Sequence, residues 1–337
     1  MSADVCHLVI GPRKHGVVEY AVSVHEALAA EGVGHRRVLL DTPWSPLPSD
    51  LSSCGLVHLH VTDRLFGTSP AQASKHLLSV VEAVGRPVSV TLHDLPQPSD
   101  GSSMNARVDF YRTAVDAAAG VVVSSEHEAG LLKRHVAPEA VPEVVPLMIG
   151  SRVQHPMSPM PAVPTVGVLG FLYPGKGHIE TLRAMAGLPS TVGFLALGAP
   201  SPGHDDLVDE LRSVAAESGR SCEVTGYLDD DEMRERMRGV TVPVAYHRHM
   251  SASGSINTWI AQGRRPLVPQ SDYIDELDRR SPGVVTIHGN DDESLQSAIF
   301  AAVEDSSRTW LDPSVEPVPS PSDVANAYAE VLARWRR

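Results

Sequence analysis

The sequence predicts an α/β protein built from two Rossmann-like domains. Three observations predict it. Short β-branched runs alternate with helical stretches as far as about residue 147. A stretch rich in proline and methionine, from Met148 to Pro164, then shows neither strand nor helix periodicity, and after it the same alternation begins again. A chain of 337 residues with 42% hydrophobic content exceeds what one core usually supports and suffices for two.

In the first half the strand runs are Val5 to Ile10, Val38 to Leu40, Val57 to Val61, Val88 to Leu92, Gly120 to Ser124 and Glu143 to Leu147. Helical spacing predicts Val17 to Ala30, Ala71 to Val84, Asn105 to Ala118 and Glu126 to Arg134 between them. This is βαβ grammar and implies a mainly parallel sheet covered on both faces. After the linker, strands are expected at Thr165 to Gly170, Val192 to Leu197, Cys222 to Thr225, Val240 to Ala245, Pro266 to Val268 and Val284 to His288. Helices are expected at His178 to Ala186, Asp205 to Glu217, Asp230 to Arg238, Ser255 to Ala261 and Asp292 to Val303. Pro313 to Pro321 reads as an extended connection before an amphipathic final helix, Asp323 to Trp335. The predicted domains are therefore 1–150 and 164–320.

Composition excludes several classes. A formal net charge of -13, spread along the chain, argues against nucleic acid or an anionic membrane as partner. Cys6, Cys54 and Cys222 lie far apart without metal-ligand spacing and read as small buried residues. No apolar run approaches bilayer length and no signal-peptide pattern opens the chain, so no stable membrane insertion and a cytoplasmic location are expected. His247 and His249 lack carboxylate or cysteine partners at metal-like spacing, and no metal is expected. There is neither a G-x-S-x-G elbow nor a kinase signature.

In doubly wound sheets ligands bind beyond the carboxyl ends of strands, so the loops that follow strands carry the functional candidates. Gly11-Pro12-Arg13-Lys14-His15-Gly16 follows the first strand and opens a helix; it is not the dinucleotide fingerprint, and a simple strand-to-helix turn is the alternative. Gly170-Phe171-Leu172-Tyr173-Pro174-Gly175-Lys176-Gly177 is the most informative segment. A lysine between glycines at a helix start sets a point charge beside backbone donors, an arrangement that neutralises a diphosphate, although a solvated turn lysine has the same local sequence. Ser251-Ala252-Ser253-Gly254-Ser255-Ile256-Asn257-Thr258 exposes another helix start, where Ser253, Gly254 and Ser255 can meet a diphosphate and Asn257 or Thr258 a ribose; an ordinary serine cap is the alternative. His93, in Thr91-Leu92-His93-Asp94, stands at a strand end, where it can bond a sugar hydroxyl or simply finish the core. Ser124-Ser125-Glu126 reads as a helix cap.

Taken in order, these loops resemble the family 4 glycosyltransferases of the GT-B fold over essentially the whole chain. The resemblance implies two Rossmann-like domains with a deep interdomain cleft, and a last helix that crosses back to the first domain. The loop of Lys176 is similar to the family's Gly-Arg-x4-Lys-Gly phosphate motif, with Phe171 in place of the arginine. By resemblance Lys176 takes the donor diphosphate together with the Gly170 turn, and His93 contacts the donor sugar near its reactive carbon. His15 and Gly16 lie where the family carries a Gly-Gly pair beside the donor phosphate and acceptor. Where the family has two glutamates eight positions apart, this chain has Met250 and Thr258.

The resemblance implies transfer of a sugar from a nucleoside diphosphate sugar to an acceptor hydroxyl, of hexosyltransferase type, with retention and without a metal. No cofactor beyond the nucleotide-sugar co-substrate is expected; donor base, sugar and acceptor are left open. The alternatives are a GT-B epimerase, a pseudo-glycosyltransferase, or a catalytically silent nucleotide-sugar binder or partner subunit.

Overall fold

The computed structural model describes residues 5–152, 163–247 and 250–336. The chain divides into two compact units, one formed by Met1–Met148 with Pro319–Arg337 and the other by Ile149–Val318. Of the expected linker, residues 153–162 lie outside the described residues.

The first unit runs β1 (Val5–Ile10), α1 (Gly16–Ala30), β2 (Arg36–Leu40), β3 (Leu56–Val61), α2 (Asp63–Phe66), α3 (Pro70–Val84), β4 (Val88–Leu92), α4 (Met104–Ala117), β5 (Gly120–Val123), α5 (Glu126–Leu131) and β6 (Glu143–Val144). Its strands form one parallel sheet in the order β2-β1-β3-β4-β5-β6. β1, β3 and β4 are buried along their whole length, which is why they read as apolar runs rather than as alternating ones. Register sets His7 opposite His58, His58 opposite Ser89 and His60 opposite Thr91. Side chains two apart on a strand share a face, so these polar groups line up across three strands.

The second unit runs β7 (Thr165–Leu169), α6 (His178–Ala184), β8 (Gly193–Leu197), α7 (Asp206–Glu217), β9 (Cys222–Val224), α8 (Asp230–Arg238), β10 (Val242–Val244), α9 (Gly254–Ala261), β11 (Leu267–Pro269), α10 (Asp272–Arg280), β12 (Thr286–His288) and α11 (Asp292–Glu304). Its parallel sheet has the order β12-β11-β10-β7-β8-β9. Counted from β7 this is the 3-2-1-4-5-6 order of dinucleotide-binding sheets, with the reversal between β7 and β10. The loops leaving those two strands, Gly170 to Gly177 and the one that starts at Ala245, therefore begin at the crevice where such a sheet takes its ligand.

The last helix, α12 (Pro321–Trp335), belongs to the first unit. A capping box of Ser320 and Asp323 starts it, with Pro321 at its first position. Val324, Ala325, Tyr328, Val331 and Leu332, at three- and four-residue spacing, pack with Val24, Ala27 and Leu28 of α1. The Trp335 ring lies so close to Gly120 that a β-carbon there would stand 2.1 Å from it.

The parallel sheets and their covering helices appear as the alternation predicts. Two helices are additional. α2 is a single turn, too short to show a period. α10 is mostly charged, but Tyr273, Ile274 and Leu277 give it a buried stripe and Ser271 caps it. β10 contains Pro243 although it lies inside the sheet, paired opposite Gly167. Cys6 and Cys54 are buried as expected, whereas Cys222 is only half-buried; all three are free thiols.

Candidate functional site

At the switch point of the second unit, Lys176 is buried, and its Nζ donates to Ser255 Oγ at 2.9 Å. Ser255 Oγ lies 3.1 Å from Ser253 Oγ, which caps α9 by accepting from the Ile256 amide. Two glycines make this arrangement possible. Gly170, at φ +115, leaves the space that Lys176 occupies, since a β-carbon there would meet Cε at 3.0 Å and Nζ at 3.1 Å. Gly177, at φ +90, lies so tightly on the Tyr246 carbonyl that a β-carbon would stand 2.0 Å from its oxygen. Lys176 has no carboxylate partner among the described residues, and burial brings its pKa down from the ordinary 10.5 to about 7.

Among the described residues, two more basic side chains belong to this cluster. His178, the first residue of α6, is buried with neither ring nitrogen bonded. His247, after β10, is buried with Nε2 unbonded. Burial pushes both rings down, His178 to about 3, and the charge of Lys176 adds to it in each case.

In the first unit, His93 follows β4 and is buried, with Nε2 3.0 Å from His60 Nδ1 and the two rings stacked. Tyr20 of α1 meets both rings edge-on. Its backbone is braced twice: the His93 amide donates to the Val61 carbonyl at 2.9 Å, and the Tyr111 hydroxyl donates to the His93 carbonyl. The following Asp94 adopts φ +54, unusual for a residue with a side chain, and its carbonyl accepts from Tyr111 and from Arg107. Arg107 is itself paired with Asp63 and Asp100. Burial lowers His93 to about 4, so it is a neutral imidazole at pH 7, and its Nδ1 has no partner among the described residues. His15 acts on His93 electrostatically and caps α1, its Nδ1 accepting from the Val17 amide at 3.2 Å, which leaves its proton on Nε2.

The sequence candidates thus fall into two groups, one in each unit. Gly170, Lys176, Ser253 and Ser255 come together in the second unit; His93 and His15 come together in the first. Gly254 and Gly16 open α9 and α1, and a β-carbon at either would meet nothing within 4 Å. Asn257 is buried on α9, and Thr258 is exposed with its hydroxyl donating to the Gly254 carbonyl at 2.8 Å. Met250 is buried in an apolar cluster. Ser125 caps α5 by accepting from Glu128.

Sequence reasoning did not single out His60, Tyr20 or His178, and weighed His247 only as a metal ligand. Spacing alone marks His58 and His60 as sharing a face of β3; their meeting with His93 depends on register between strands. His249 lies outside the described residues. Among the described residues no three His, Cys, Asp or Glu side chains are grouped to hold a metal ion, and no helix is long and apolar enough to cross a membrane.

No protein-family model matches the sequence, and no curated protein matches it. Solved structures do match in shape. HepE from Anabaena, in complex with UDP and glucose, superposes with a TM-score of 0.65 at 15% identity, covering 98% of this chain and 95% of that one. Sucrose-phosphate synthase from Thermosynechococcus elongatus gives 0.62 at 14% identity, covering 99% and 95%. A glycosyltransferase from Rickettsia africae gives 0.60 at 12% identity, covering 99% and 94%. At these identities the likeness establishes the fold: two Rossmann-like domains of the GT-B type.

Proposed function

We propose that this protein is a glycosyltransferase of the family 4 type, moving a sugar from a nucleoside diphosphate sugar to an acceptor hydroxyl with retention at the anomeric carbon. The observation that carries the reading is Lys176, a buried amine set on serine hydroxyls at the switch point of a dinucleotide-type sheet, with no carboxylate partner among the described residues. A fall from 10.5 to about 7 corresponds to about 5 kcal/mol against the charged form. An arriving diphosphate reverses that term, because an opposite charge beside a buried amine favours its protonation. The fold likeness supports the same assignment: the neighbours include a protein solved with UDP and glucose and a glycosyltransferase.

In this reading Lys176, Ser253, Ser255 and the amides opening α9 hold the diphosphate and stabilise the charge it gains as the glycosidic C–O bond breaks. They supply the positive charge that a metal ion contributes in other nucleotide-sugar enzymes. The leaving diphosphate oxygen takes the proton of the acceptor hydroxyl on the face from which it departs, while the new C–O bond forms there. By the family resemblance, His93, neutral and held by His60 and Tyr111, would offer Nδ1 to a hydroxyl of the donor sugar, and His15 with Gly16 would serve the phosphate and acceptor.

One observation favours a second reading. Met250 is core and Thr258 spends its hydroxyl on its own helix, so neither position provides the carboxylate the family uses on the nucleotide ribose. A protein that binds nucleotide sugars without transfer fits that loss.

The experiment is release of nucleoside diphosphate from UDP-, GDP- and ADP-glucose, with and without candidate acceptors. Release from one donor, abolished in Lys176→Met, supports transferase chemistry. Binding of a donor without any release supports the silent reading.

A further inference from the structure

The phosphate motif that the Gly170 to Gly177 loop resembles carries two fixed positive charges, and here one position is Phe171, 44% exposed. Among the described residues the cluster around Lys176 nevertheless contains two further groups able to carry charge. His178 and His247 are 4% and 8% exposed, and three of their four ring nitrogens, both on His178 and Nε2 on His247, are buried without a hydrogen-bond partner. An imidazole buried with unbonded nitrogens is costly unless something arrives to bond it. We infer that His178 and His247 complete the anion site of Lys176, each taking a proton from solvent as a diphosphate binds, so that binding is coupled to proton uptake. The inference rests on the diphosphate reading of Lys176 given above.

The surroundings are those such coupling requires. Burial and the charge of Lys176 keep both rings neutral in the free protein, and His178 further lowers His247. The free cluster thereby avoids three mutually repelling cations. Glu180, Arg183 and Glu210 line a pocket together with His178, and Asp292 lies across Tyr246 from the cluster. The shifts of the two rings and of Lys176 come from burial and from one another, with no carboxylate among their causes. The Tyr246 carbonyl lies close against Gly177, which brings the residue next to His247 onto the loop of Lys176. An arginine at position 171 would bind a diphosphate with the same strength across neutral pH; paired histidines make the affinity depend on pH.

The test is isothermal titration of the full chain with inorganic pyrophosphate, UDP, GDP and ADP at pH 7.0, in two buffers of different ionisation enthalpy, PIPES and ACES, with affinities repeated from pH 6.5 to 8. Lys176, half protonated in the free state, contributes about half a proton. The histidines raise the uptake above about one and a half protons, and the affinity falls more than about tenfold per pH unit as pH rises. His178→Asn with His247→Asn returns the uptake to about half a proton or less, with a thermal melt confirming that the variant is folded. Binding by wild type with uptake of half a proton or less overturns the inference while leaving the diphosphate site standing. Failure of all four probes to bind removes both.

Discussion

Acid should open the first unit in a window set by its histidines. His7, His58, His60 and His93 are all buried, linked across β1, β3 and β4 through Ser89, Thr91 and one another. Burial holds His58 at about 3 and His93 at about 4, with His7 and His60 well below the ordinary 6.5. The folded state therefore binds fewer protons than the unfolded chain, so stability is complete above pH 6.5 and is lost as pH falls towards the folded values. At pH 5 an unfolded histidine is almost fully protonated, and each buried one costs the fold about 2 kcal/mol. His58 and His93 together amount to about 4 kcal/mol, a large share of a domain's stability, and His7 and His60 act in the same direction. Most carboxylates titrate below pH 5, so the interval from 6.5 to 5 isolates the histidines. Amide hydrogen exchange of β3 and β4, corrected for the intrinsic pH dependence of exchange, reads the opening free energy of this unit alone. Expected is a loss of at least about 2.5 kcal/mol per pH unit near pH 5, smaller by about 1.4 kcal/mol per unit in His58→Asn. Opening free energy that stays flat from pH 7.5 to 5, or ring NMR signals of His7, His58, His60 and His93 that titrate near 6.5 in the folded protein, would refute the reasoning.

Three further outcomes follow from packing. Arg264 is wholly buried, bonding the Met237, Thr241 and Thr309 carbonyls and lying 4.1 Å over the Trp310 ring. Arg264→Ala removes one bond from each of those buried carbonyls and the cation from the Trp310 ring, and should cost the second unit about 3 to 5 kcal/mol in urea unfolding; a loss under about 1 kcal/mol would contradict the clamp. Gly177→Ala combines a disfavoured φ with a clash against the Tyr246 carbonyl, and should weaken nucleoside diphosphate binding at least about tenfold in a titration. Gly120→Ala drives a methyl into the Trp335 ring, and should raise proteolytic cleavage of the last turn of α12, with unchanged cleavage counting against the close approach.

Much of the fold was legible because parallel strands buried on both faces leave a simple signal of short β-branched runs between helical periods. The strand-end loops were legible for a related reason, since a glycine that must adopt positive φ, as at Gly170 and Gly177, is conspicuous between a strand and a helix. α10 was missed because its charged residues mask a buried stripe only three residues strong. The histidine network was missed because β3 gives the i, i+2 spacing of His58 and His60, while the partner strand and its register come from tertiary structure. His247 was judged against metal spacing, a template with no place for an imidazole beside a buried lysine. Phe171 was legible as a missing charge, whereas the proposed replacement depends on the loop before α6 meeting the loop after β10 at the Gly177 contact with Tyr246.

The diphosphate role of Lys176 is tested most directly by comparing wild type with Lys176→Met, which keeps the apolar stem and removes the charge. UDP, GDP and ADP are titrated into both proteins, and the melting temperature is read without and with saturating nucleotide. The expected result is that one nucleotide binds wild type and binds the variant about 10- to 150-fold more weakly, the loss of one charged hydrogen bond of about 1.5 to 3 kcal/mol. The free variant melts no lower than wild type, because a buried amine without a counter-ion does not stabilise the empty fold. Equal nucleotide affinity in the two proteins would contradict the assignment of Lys176 to the diphosphate.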